Sequence, residues 1–209
     1  IVAAYATIAA QVFALSAAFQ FLKNAVNMSN LIAGQENFAA ITGTAYKTLT
    51  KDIQAATAGQ IQFAEAAQAA AIGTAAGLSP KQLEELGRAA KNTSLALGRD
   101  LTDSFQRLVR GTTKAEPELL DELGIILRLE PALKAYAVAN KKTVAQLTQF
   151  EKSQAIANEV LSQADSKFGQ ITDGIDDGAF ALQQFVVAFD ELMIELQKGL
   201  GAIACDFSN

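Results

Sequence analysis

The first 80 residues carry six charged side chains, Lys23, Glu36, Lys47, Lys51, Asp52 and Glu65, although the chain holds 17 basic and 22 acidic residues in all. A water-facing domain of that length needs far more charge to cover its outside. This segment must bury its surface against copies of itself, a partner or lipid. The composition shifts between Gly77 and Pro80, the best boundary in the chain. Three parts are therefore expected: 1–78, an alanine-rich apolar helical segment that forms oligomers and suits membrane contact; 79–170, a compact charged helical module; and 171–209, an amphipathic C-terminal helix.

Composition narrows the fold and the chemistry together. Forty-one alanines and three prolines oppose disorder and an all-β fold. The expected class is all-α, with extended or coiled-coil apolar helices flanking a compact five-helix module. With no histidine, neither a Ser-His-Asp nor a Cys-His nucleophile pair can exist, and zinc loses its imidazole ligands. The single cysteine, Cys205, forms no internal disulfide or Cys-rich metal site. A net charge of −5 and a pI near 4.8 oppose sequence-specific nucleic-acid binding. The chain opens at Ile1 without a methionine and is read as a piece of a longer polypeptide.

Hydrophobic spacing supplies the candidate site. Residues 1–22 contain no charge, the length that crosses a bilayer. Yet Ile1, Tyr5, Ile8, Val12, Leu15, Phe19, Leu22 and Val26 step 4-3-4-3-4-3-4, the 3.5-residue period of a coiled coil. Three readings stay open: a buried bundle helix, a self-association seam, or a membrane span. Leu182, Phe185, Phe189, Leu192 and Leu196 step 3-4-3-4, with Asp190, Glu191 and Glu195 off the seam. That stretch is a second seam or a plain amphipathic helix.

Between the seams, capping signals are dense. Ser79-Pro80-Lys81-Gln82 is a helix start with a capping box and proline at the first helical position. A second helix is expected with Thr102 as cap and Gly111 as terminator, and a third from Glu116-Pro117 to Gly124. A fourth opens at Leu129-Glu130-Pro131. Thr143 to Gln146 is expected to start a long helix ending at Gly169. Arg99, Arg107 and Arg110 lie among Asp100, Asp103 and Glu116, which reads as an ion-pair network.

Catalytic groups are hard to find. Glu84 with Glu85, and Asp121 with Glu122, are adjacent and point about 100° apart on a helix, so neither pair makes a close carboxylate dyad. They read as solvated helix surface. No GxxxxGK[ST] phosphate loop occurs. Asp173, Asp176 and Asp177, with Gly174 and Gly178, lack the 12-residue EF-hand spacing and read as a turn before a helix. No catalytic, cofactor or metal residue is assigned.

The block LGRDLTDSFQRLVRGTTKAEPELLDELGIILRLEPALKAYA, residues 97–137, resembles the tail tape-measure proteins of tailed bacteriophages. The likeness extends over roughly residues 31–171, and TKAEPELLDELGI (113–125) is its most specific string. The ends of the chain match only in being alanine-rich, apolar and helical. The resemblance implies a structural virion protein, a long helical chain packed in several copies, with three preferred, inside the tail tube. Its length would set tail length, and apolar segments would help the genome through the host inner membrane during ejection. Implied partners are copies of itself, tail tube, tail tip or baseplate proteins, and that membrane. Rival classes are a membrane-active pore-former or translocator, and a helical adaptor.

Overall fold

In the described part of the chain, helix starts and stops follow from local chemistry, and helix packing follows from missing side chains. The structure is a computed structural model. It describes residues 43–171 continuously, together with 27, 30–34, 36–37, 39–40, 181, 184–189, 191–193 and 195–196. The chain is all-α: among the described residues, every regular element is a helix. By internal contacts it divides into two units, Ile1–Gly43 with Ala188–Asn209, and Thr44–Val187. Most described residues belong to the second.

That unit begins with α1 (Tyr46–Ala56) and α2 (Phe63–Ala75). Then come α3 (Pro80–Leu97), α4 (Leu101–Lys114), the short α5 (Pro117–Asp121) and α6 (Leu129–Ala139). A 3-10 turn, Val144–Gln146, precedes α7 (Gln149–Phe168). Helix α1 buries Tyr46, Leu49, Thr50 and Ile53, a stripe at helical spacing, against α2 and α3. Helix α3 packs on α1, α2, α4 and α7 and so lies at the centre of the core. The compact unit thus starts at Thr44, ahead of the boundary expected at 78/79. The reason is that α1 and α2 need little charge: their apolar stripes lie on α3 and α4.

Helix contacts are close because small residues stand at the crossings. A Cβ added to Gly73 of α2 would lie 2.3 Å from Leu83 Cδ2 of α3. One added to Gly111 of α4 would lie 2.7 Å from Leu120 Cγ of α5. Gly111, expected to end its helix, instead sits inside α4, buried, as the notch that admits Leu120. Helix α4 ends four residues later at Ala115, in the left-handed region with φ 53°.

The starts hold two further corrections. Helix α4 is capped by Asp100, whose Oδ1 accepts the Asp103 N–H at 2.8 Å, and not by Thr102. Thr102 lies within the helix, its hydroxyl 3.3 Å from Glu65 Oε2. The Thr143–Gln146 box closes only the 3-10 turn, because Leu147 is extended (φ −72°, ψ 127°) and buried. The long helix starts from a second box, in which Thr148 Oγ1 accepts the Glu151 N–H at 3.2 Å. The Ser79–Gln82 box and N1 proline stand where expected, with the Ser79 N–H donating to Gln82 Oε1 at 2.9 Å.

Helices α1 to α6 all close through a residue at positive φ: Ala58, Gly77, Gly98, Ala115, Gly124 and Lys141, with φ between 53° and 96°. The next N–H reaches back five residues each time, as from Gly59 to the Gln54 carbonyl at 2.7 Å and from Lys142 to that of Ala137 at 2.8 Å. Only three of the six are glycine. For an L-residue the left-handed conformation costs roughly 1–2 kcal/mol.

Three changes test this. Ala115→Gly should raise the unfolding free energy by about 0.5–1 kcal/mol in urea titration, since the relief of strain exceeds the entropy glycine adds to the unfolded chain. Gly111→Ala should lower it by about 1–3 kcal/mol through overpacking against Leu120, although alanine is the better helix former. A protein cut at residue 79 should melt less cooperatively than one beginning at 44, because removing α1 and α2 bares the α3 side that carries Leu83 and Gly87. Equal melts would refute the packing described.

Candidate functional site

The expected seams are the first candidates. Ile1, Tyr5, Ile8, Val12, Leu15, Phe19, Leu22, Val26 and Leu182 lie outside the described residues, as do Cys205 and the Asp173 to Gly178 turn. The described members are Phe185, Phe189, Leu192 and Leu196, at 65%, 51%, 56% and 52% exposure. Residues 184–189 and 191–193 are helical. Gln184 Nε2 donates to the Ala58 carbonyl at 2.6 Å, and Val187 is buried. Side chains flanking the stripe therefore face the protein, while Phe185 faces outward. Among the described residues no helix is long and apolar enough to cross a membrane.

The acidic candidates resolve into ion pairs. Glu84 lies 2.7 Å from Arg88, and Glu85 lies 3.7 Å from Lys81. Glu122, read from sequence as solvated surface, joins the charged network, whereas Arg110 is simply exposed. Asp100 serves as a helix cap, and Glu116 lies 3.7 Å from Lys114. The network is a ring of four alternating charges. Arg99 Nη2 meets Asp103 at 3.2 Å and Glu122 at 3.3 Å; Arg107 meets the same two acids at 2.8 Å each.

Sequence and fold each supply half of that ring. Arg99, Asp103 and Arg107 are spaced by four and share one side of the chain entering α4. Glu122 comes from the turn after α5, a place only the tertiary fold could bring near. Arg99 Nη1 also donates to the Glu122 carbonyl at 3.1 Å, satisfying a helix-end acceptor. The Arg107 hydrogen bond, with Arg99 adding to it, holds the Asp103 carboxyl below its ordinary 3.8. A carboxylate so held is a weak general base. The ring's side chains are 25–51% exposed, so each pair contributes about 1 kcal/mol at most.

Other polar ties leave no trace in the sequence. The Gln163 amide of α7 pairs with both backbone groups of Ile126, donating to its carbonyl at 2.7 Å and accepting its N–H at 3.0 Å. Gln82 Nε2 donates to Asn158 Oδ1 at 2.9 Å, joining α3 to α7. Tyr136 donates to Gln154 Oε1 at 3.0 Å, joining α6 to α7. Glutamines carry no pattern that announces a tertiary partner. Among the described residues no group of three or more cysteine, aspartate or glutamate side chains could hold a metal.

Lys142 pairs with Glu151, the acid of the α7 capping box. The Lys142 hydrogen bond first, then the Thr148 N–H, lowers the Glu151 carboxyl from 4.5 to about 2. A depressed carboxyl contributes stability above its unfolded value and loses it as pH falls through the folded one. Stability should therefore decline as pH drops from 4.5 toward about 2. In Glu151→Gln the melting temperature should depend less on pH across that interval. An unchanged pH profile would show that this carboxylate is not held by its partners.

No known family matches the chain, and no solved structure matches it.

Proposed function

We propose that this chain is part of a non-catalytic structural protein of the phage tail tube, a tape measure whose helical length sets tail length and which assists genome ejection. The observation that carries the reading is the 113–125 string, TKAEPELLDELGI, with the wider likeness over roughly 31–171. Further support comes from the heptad steps at both ends of the sequence. In this reading helices α1 to α7 act as a compact helical module, and residues 1–26 and 182–196 are coiled-coil seams between copies, three by preference. Partners are tube, tip or baseplate proteins and, at ejection, the host inner membrane. No cofactor takes part.

A helix rises 1.5 Å per residue, so a helical ruler reads out as residue number. Deleting whole heptads from extended segments of the parent protein keeps the apolar register and should shorten tails by about 1.5 Å per residue. Tail lengths that stay constant in electron micrographs across such a series would refute the ruler. Lysine at Val12 and Phe19 should abolish assembly while leaving Thr44–Val187 folded. An unchanged oligomer in sedimentation would remove the N-terminal seam.

The charge-free stretch 1–22 favours a second reading, a membrane-active helical protein. Rapid dye release from liposomes by the whole chain, with no effect of deletions on any particle dimension, would select it over the ruler.

A further inference from the structure

We propose that residues 116–128 form a salt-sensitive strap, opening before the rest of the Thr44–Val187 unit and baring an apolar surface beneath. The proposal is independent of the functional reading above. Helices α1, α2, α3, α4 and α7 pack on one another directly, so the core is continuous without this segment. Helix α5 has five residues, too short to persist alone, and among the helices it packs chiefly on α4. Beyond α5, Ile125 to Arg128 belong to no regular element.

The strap is fastened in two layers. Beneath, Leu120, Leu123 and Ile125 are fully buried, Leu120 seated in the Gly111 notch. Its ends are held by backbone bonds, from the Glu116 N–H to the Gly111 carbonyl and from the Ala132 N–H to the Arg128 carbonyl, whereas between them Glu122, Gly124 and Ile126 are tied to side chains outside the strap. Arg99 and Arg107 hold the Glu122 carboxylate, Arg99 also holds the Glu122 carbonyl, and Gln163 holds Ile126. Lys167 reaches the Gly124 carbonyl. Side-chain ties release one at a time, unlike a helix ladder, and the charged ones lie near the surface where ions screen them. Once open, the three apolar side chains and the α4 notch would face solvent as one patch.

Amide hydrogen exchange on the whole chain tests this. The reporting amides are those of Leu123, Gly124, Ile125 and Ile126, with acceptors at Leu120, Asp121, Leu120 and Gln163. Raising salt from about 0.01 M to about 1 M, which shrinks the screening length from about 30 Å to about 3 Å, should speed their exchange roughly fivefold to tenfold. Leu86 and Ala90 in α3 should not change. In Glu122→Gln the four amides should exchange fast at all salt concentrations, whereas Glu84→Gln, which breaks a surface pair away from the strap, should leave them as they were. Strap amides that exchange at the same rate as those of α3 would overturn the proposal, as would a full salt response in Glu122→Gln. Should Glu122→Gln not fold, the salt series on the unaltered chain decides alone.

Discussion

The core depends on how closely helix α3 approaches its neighbours. Leu83 of α3 lies over Gly73 of α2, and Gly87 of α3 faces Ala56 and Thr57 of α1, where an added Cβ would stand 3.3 Å from the Ala56 methyl. Each interior glycine costs its helix about 1 kcal/mol relative to alanine. In return two backbones come near enough for a leucine to fill the space between them, and buried alanines on α2 and α7 extend the same contact. Alanine helices bury little area individually. Their stability has to come from several neighbours at short range, and a central helix touching four others provides that.

Around this core the ends of the helices are tightly specified. Four capping boxes or acidic caps fix the starts of α3, α4, the 3-10 turn and α7. Left-handed closures fix the ends of α1 to α6, three of them on residues with a Cβ. The strain at Ala58, Ala115 and Lys141 persists because the next few residues are anchored in every case. After Ala58 comes the Gly59 closure onto α1, after Ala115 the Pro117 start of α5, and after Lys141 the Lys142–Glu151 pair. Connections stay short, and most consecutive helices pack as neighbours.

The string that most resembles the tape-measure family, 113–125, is also among the most constrained in geometry. It holds a left-handed alanine, a proline at the first helical position, the leucine that fills the Gly111 notch and the glycine that closes α5. Each of those residues has a reason in the fold. The resemblance thus falls on a part of the chain that packing specifies.

Much of this was legible in the residues. Helical class, the Ser79 and Pro117 starts and the Gly124 end all rest on interactions within a few residues, which the order of residues writes directly. Thr148 to Glu151 is equally local, but Thr143 to Gln146 offers the same pattern five residues earlier and hides it. What sequence could not supply was distance. Gly111 reads as a helix terminator until Leu120 is seen above it, and Glu122 reads as solvated surface until two arginines are seen beside it. Gln163 reads as nothing in particular until Ile126 is found between its amide atoms. By itself the sequence determined the helical class and the limits whose caps have no local rival, such as Ser79, Pro117 and Gly124, because caps are local chemistry. Only the tertiary structure decided which glycine is a stop and which a notch, and which charge is solvated and which paired, because those depend on atoms brought together by packing.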